Sequence, residues 1–584
     1  MSFQKNRCTW GLYSILFLAG VLLLFFRNPD PVINPVIYAE DGIWAALGLR
    51  EGWITAFISS RTDYFVFLNT LLLYISSIIS IATSGGMIER LPYAIAFVSY
   101  SFYSAFALLA FATIKKVSSG FFGLFAFLLL LMLPLGDTQN EIIGRILQVG
   151  FFMPALALML FFWRDRCGST IVRRAIDLAI FVSAGTNPIV FVLVFAYFLH
   201  ILFLNNFNFI STLKNNVLLI SLLSALAVAI LPRLGGHGGV PGDLVASNVI
   251  EAVTARSILF PFVFPWYGQL SNVLSLSIFA VFALVVFIAI RVSENIEAKR
   301  LTYAVIVTTS IYAFLTLLMR PGLTGLLNNY QTSFPDRYFM GINVLVSILI
   351  VLVFIQLINH VKTRILGAIF GISVVLVYIY GNSAIFEFNE SKMPIRNYLS
   401  FKDQICLSEQ VSSSYKIQIY PELPAWVMLI PAQYISKVDC KFRSYEGSGL
   451  PRPGDEYKKI PTAALEKNKN IPINFFKFAT YKPLSRIEIM FGTNVRTNPG
   501  DAQLILKNSN GRVEKIVFSL ENLQDNHYRF FDIPDGVYAS GEIVSLTGQG
   551  VSVWESHNQD GKVLSCLKFK FTDGGSALTP GCPR

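Results

Sequence analysis

Apolar runs separated by short connections occupy the chain from residue 8 to about residue 381. Crossing the ~30 Å hydrocarbon layer of a bilayer takes about 20 predominantly apolar residues per helix. Runs of that kind stand at 10–26, 63–82, 91–113, 119–135, 150–163, 175–204, 217–232, 271–290, 301–319, 339–359 and 365–381. They predict a mainly α, polytopic transmembrane bundle of about eleven spans. A further apolar stretch, 252–266, lies among Pro and Gly. The run at 175–204 is interrupted by Gly185-Thr186-Asn187-Pro188, which reads either as one unwound span or as two short helices meeting at a re-entrant turn.

Beyond residue 382 the period changes. Apolar and polar residues alternate in RIEIMF (486–491), AQLILK (502–507) and VEKIVF (513–518), and Asn510-Gly511 supplies a hairpin turn. The pattern predicts a β-sandwich at about 475–584, preceded by a less regular segment at 390–470. Two domains follow: a membrane domain, 1–381, and an extracytoplasmic domain, 382–584.

Composition agrees with a membrane location. Of 584 residues, 54% are hydrophobic and 14% charged, more apolar side chains than a water-soluble core buries. The formal charge of +11 sits in short clusters (Lys115/Lys116, Arg164/Arg166/Arg173/Arg174, Arg291/Lys299/Arg300, Lys362/Arg364), as cytoplasmic loops do. No basic face interleaved with aromatics suggests nucleic-acid binding. The first run follows Lys5 and Arg7 without a small-residue cleavage site and reads as a retained helix with a cytoplasmic N-terminus. With 175–204 as a single crossing, the clusters on its two sides cannot both face the cytoplasm, so the topology between 113 and 205 stays open. Cys406, Cys440, Cys566 and Cys582 all fall in the tail, an even number suited to two disulfides in an oxidising compartment; neighbour pairing gives Cys406–Cys440 and Cys566–Cys582 among three possibilities.

The candidate chemistry gathers at span ends. Glu40 and Asp41 follow the first span, and IWAALGLREGWITAF (43–57) behind them reads as an amphipathic helix lying in the membrane interface. Carboxylates at that height suit removal of a proton from an attacking hydroxyl, although Asp41 would equally cap a helix. They also offer hard oxygen ligands to a divalent cation. Arg320, Arg337 and Tyr338 flank a loop at 320–338, where cations would grip a leaving phosphate and Asp336 would orient a guanidinium; simple anchoring at lipid headgroups is the plainer role. Arg61 and Asp63 open the second span as substrate contacts or interfacial anchors, and Glu141 and Arg145 stand at i, i+4 on one helix face, where they would line an acceptor groove or form a plain ion pair. His237, in GGHGGVPGD, offers a phosphate contact or a lid from a glycine loop, although a lone His there usually does neither, and no second ligand at zinc spacing accompanies it. Trp426, Tyr528 and Trp554 in the tail offer sugar-stacking rings or, by strand spacing, core; the alternation in VSVWE favours core for Trp554.

An acidic first outside loop, an interfacial helix, about eleven spans and a C-terminal outside domain resemble the GT-C class of membrane glycosyltransferases. YAEDG (38–42) and PDRYFM (335–340) are similar to motifs of bacterial Gtr-type O-antigen glucosyltransferases. The resemblance implies an inverting transfer of a hexose, glucose by analogy with those enzymes, from a polyprenyl-phosphate donor to a lipid-linked glycan such as the O-antigen of lipopolysaccharide. It places the reaction on the periplasmic face of the inner membrane, with Glu40 or Asp41 as base. Competing readings are a lipid-linked glycan polymerase or ligase, a transporter or flippase, and a structural envelope protein.

Overall fold

The computed structural model describes residues 2–204, 216–230, 233, 242–327, 330, 336–383, 400–420, 426–436, 458–475, 483–508, 511–557, 563–572, 576–579 and 581–582. The chain divides into two compact units: Met1–Pro31, Glu51–Ile78 and Tyr93–Asn389 form the first, and Val32–Arg50, Ile79–Pro92 and Glu390–Arg584 the second.

Among the described residues, seven helical segments are long and apolar enough to cross a membrane: Leu91–Val117, Leu147–Arg164, Ala246–Gln269, Asn272–Val292, Ile296–Met319, Asp336–Asn359 and Val361–Gly381. Five shorter apolar helices, Gly11–Arg27, Phe67–Thr83, Gly120–Leu131, Ile189–Phe203 and Val217–Ile230, accompany them. Asp336–Asn359 is 89% buried and Asn272–Val292 only 11%, so the former runs through the bundle and the latter along its outside.

The break at Asn187-Pro188 resolves the 175–204 run into two helices, Thr170–Thr186 and Ile189–Leu204. Proline disfavours helical geometry at the preceding residue, and Asn187 is extended (φ −140°, ψ 113°) while its side chain accepts the Ile189 N–H at 3.0 Å. Arg164 pairs with Asp177 in the first leg, whereas Tyr197 in the second stacks on Phe161 at 4.1 Å and donates to Asp165. Both legs therefore return to the same end of Met153–Arg164, and the run is a helical hairpin.

That hairpin reconciles the charges. Asn295 Nδ2 donates to Val117 O at 2.7 Å and Arg166 pairs with Glu297, bringing the ends that carry Lys115, Lys116, Arg164, Lys299 and Arg300 together. The opposite end is tied by Tyr312 to Phe151 O (3.1 Å), Asn69 Nδ2 to Ile146 O (2.8 Å), Leu68 N–H to Thr186 Oγ1 (2.9 Å) and Asn187 Nδ2 to Gly150 O (3.0 Å).

The 252–266 stretch contains a π-helical segment, Glu251–Leu259. Asn343 Nδ2 donates to Arg256 O and Ser257 O at 2.8 and 3.0 Å, so an amide of Asp336–Asn359 meets two carbonyls of the widened turn.

Among its described residues the second unit holds three antiparallel sheets. The smallest is a meander of Glu409–Val411, Ser414–Gln418 and Val427–Pro431. Residues from the early loop dock on it: Ala39 N–H donates to Tyr420 O (2.6 Å), Tyr420 N–H to Ile37 O (3.1 Å) and Phe401 N–H to Pro35 O (2.7 Å). A four-stranded sheet runs Asn470–Ile473, Tyr538–Ser545, Asp501–Asn508, Val513–Ser519 in spatial order. The largest surrounds Leu484–Gly492, which pairs with His527–Gly536, Leu567–Phe571 and Ser552–His557. Leu504, Leu506 and Ile543 of the former share one core with Ile487, Ile489, Phe531 and Phe569 of the latter. Cys566 and Cys582 are joined; Cys406 is disulfide-bonded, and its expected partner Cys440 lies outside the described residues.

The single helix expected at 43–57 is broken in two. Two helices, Ala39–Glu51 and Trp53–Ser59, stand there, separated at Gly52 with φ +91°. Trp44 is 3% exposed, and a Cβ at Gly42 would fall within 3.0 Å of Ile37, Ile419 and Met428. Small residues on this face let the first helix pack into the sheet.

Candidate functional site

Glu40 and Asp41 occupy the first turn of Ala39–Glu51. Ala39 opens it at φ +43°, a left-handed geometry costly for alanine and held by its bond to Tyr420 O; the Asp41 N–H reaches Tyr38 O at 3.0 Å. The two acids do not share an environment. Asp41 is fully buried, whereas Glu40 is partly exposed.

Four other candidate residues converge in the helical unit. Arg320 follows the last residue of Ile296–Met319, and Arg337 and Tyr338 lie in the first turn of Asp336–Asn359. The Tyr338 ring has the Arg320 guanidinium 5.1 Å from its centroid and that of Arg337 at 5.2 Å. Arg337 Nη1 donates to Glu141 Oε2 at 2.8 Å, and Phe151 packs edge-on to Tyr338 at 5.7 Å. The result is a partly buried patch with two planar cations, a phenol and one carboxylate, suited to holding an anion with several oxygens.

Two expected pairings are replaced. Asp336 pairs with Arg256 instead of orienting Arg337. Glu141 serves Arg337 rather than Arg145, because the helix Gln139–Ile142 ends before a second turn can bring i and i+4 together. Arg145 is buried beside Ser99, which donates to its carbonyl at 2.7 Å.

Arg61 and Asp63 form a two-pronged pair, both contacts at 2.9 Å, with Arg61 also 4.6 Å from the Tyr64 ring. Burial pushes the Asp63 carboxyl up, but the Arg61 hydrogen bonds and charge, with two backbone N–H groups, outweigh it and leave the pKa below the ordinary carboxylate value. Arg233 donates to Arg61 O at 3.1 Å and covers Phe65 at 4.2 Å. Phe65 stacks on Phe67 at 4.9 Å, and Phe67 with Phe57, Leu71, Phe181 and Val182 lines a wholly apolar groove of about 340 Å³. His237 lies outside the described residues.

The sequence pattern did not single out Arg256, Glu251 and Tyr267. Arg256 and Glu251 are 1% and 2% exposed, Tyr267 donates to Glu251 at 2.8 Å, and Arg256 lies 4.4 Å from the Tyr267 ring. Two charges inside an otherwise apolar membrane-length segment were the available signal. Among the described residues, no group of three His, Cys, Asp or Glu is placed to hold a metal ion.

No protein-family model matches the chain, and no curated protein does. The fold alone sets the class: a mainly helical chain with several apolar helices able to span a bilayer and β-sheets near its C-terminus, the make-up of a multi-pass membrane protein.

Proposed function

We propose that this is an inverting glycosyltransferase of GT-C type, moving a hexose from a polyprenyl-phosphate donor to a lipid-linked cell-surface glycan such as O-antigen on the periplasmic face of a bacterial inner membrane, its paired sheets forming an outside β-sandwich. The Arg320–Tyr338–Arg337 patch carries the reading. An acceptor hydroxyl attacks the anomeric carbon, its proton passes to a carboxylate base, a role we propose for Glu40 on its own unit, and the bond from that carbon to the phosphate oxygen breaks. The electron pair leaves on the phosphate, whose charge the two guanidiniums stabilise. Phosphate leaves without a strong general acid. The groove beside Arg61 and Arg233 matches an apolar carrier tail with an anionic head. Asp41 is too enclosed to meet a hydroxyl and serves to position the helix.

Release of polyprenyl phosphate from a synthetic polyprenyl-phosphate hexose tests this. Glu40→Gln should lower turnover at least about 100-fold, and Arg337→Lys about 10-fold or more because an ammonium cannot grip two oxygens. Full activity in both variants would sink the proposal.

The buried Arg256–Asp336 pair and the broken helix at Asn187-Pro188 favour a second reading, transport of the lipid-linked saccharide. Under it, Arg256→Gln abolishes movement of labelled lipid across proteoliposomes, and no polyprenyl phosphate is released by the parent protein.

A further inference from the structure

Strand register fixes which side chains of the largest sheet face away from its core. Ile487, Ile489 and Phe531 point inward, so Arg486 and Glu488 share the opposite face with Tyr528, Phe530 and Asp532. Lys568 and Lys570, opposite Glu488 and Arg486, join them. Trp554 follows the core residue Val553 and lies outward as well. It is not core: its indole N–H donates to exposed Asn526 at 2.8 Å, two residues before Tyr528.

The rings and cations on this face are matched. Lys568 lies 4.0 Å from the Tyr528 centroid, Arg486 4.7 Å from Phe530, and Lys459 5.2 Å from Trp554. Phe530 is 59% exposed, so its ring stays open to a ligand beside the Arg486 guanidinium. Tyr528 and Phe530 are spaced by strand geometry at about 7 Å, in a row along the sheet rather than at a loop tip. Among the described residues here, Lys459, Arg486, Lys568 and Lys570 outnumber Glu488 and Asp532.

We infer that this face binds an anionic saccharide chain. A pyranose presents C–H faces that stack on rings, and its hydroxyls and carboxylates take hydrogen bonds from adjoining cations. The row of rings suits successive sugars, and the positive excess selects chains bearing acid groups. A headgroup layer would be met by rings projecting at a tip, which this flat arrangement lacks. The inference is independent of the transfer reaction.

The test uses full-length protein in nanodiscs, with sodium polygalacturonate, dextran and phosphatidylglycerol vesicles as probes. Polygalacturonate should bind and dextran bind at least about tenfold more weakly. Tyr528→Ala/Phe530→Ala and, separately, Lys568→Gln should each weaken polygalacturonate binding about tenfold with an unchanged melting profile. Lys568→Gln, a surface change, keeps the test decisive should the double variant misfold. Absence of polygalacturonate binding, equal binding to dextran, or binding indifferent to Lys568→Gln overturns the inference. So does vesicle binding lost in these variants without polygalacturonate binding, which would assign the face to lipid.

Discussion

Gly341 shows how narrowly single positions are set. A Cβ there would stand 2.1 Å from Phe151 O and 2.6 Å from the Tyr312 hydroxyl, one turn beyond Arg337. Gly341→Val should destabilise the protein by about 1–3 kcal/mol, read as a lower melting temperature in detergent. Asp177→Asn leaves the buried Arg164 guanidinium without its countercharge and should cost about 3–5 kcal/mol by the same measurement. The Arg61–Asp63 pair behaves differently with pH. Since the folded pKa of Asp63 is depressed, its contribution is complete above the unfolded carboxylate value and disappears only as pH falls through the lower folded value. Titrating Asp63 by infrared carboxyl absorption should show protonation below the ordinary range, and Arg61→Gln should move it upward. Which residues meet was poorly legible in the sequence: Glu141 and Arg337 are 196 positions apart, and nothing local announces their pairing.

At the level of helices and strands, local chemistry was legible where it acts locally. Pro188 broke its helix where the GTNP motif suggested, and the basic clusters marked one end of the bundle. The reading failed where two patterns share a period. Alternation in VSVWE reports that neighbours face opposite ways but not which way is inward, and Trp554 lies on the side away from the core. Gly52 breaks the single helix that the pattern of 43–57 suggested, and small residues bury one face of its first half. The hairpin at 170–204 makes a direct prediction about sidedness. Cys167, a free thiol near Arg164 and Arg166, should react with a membrane-impermeant maleimide only after cells are permeabilised. Labelling in intact cells would reverse the assigned orientation.

For the molecule as a whole, the Cys566–Cys582 link closes a short loop beside the sheet that carries the outward rings. Cys582→Ser should lower the stability of the C-terminal unit by about 2–4 kcal/mol, seen as earlier proteolysis of that unit under non-reducing conditions. The early loop belongs to the same unit. Residues 35–42 are held by hydrogen bonds to Phe401 and Tyr420, so the segment bearing Glu40 is among the first to leave the ribosome and among the last to be seated. At roughly 5–20 residues per second, its binding partners emerge on the order of tens of seconds later. A nascent chain released before residue 400 would possess every long apolar helix yet leave its carboxylates untethered, so premature termination late in the message removes a feature encoded near the start.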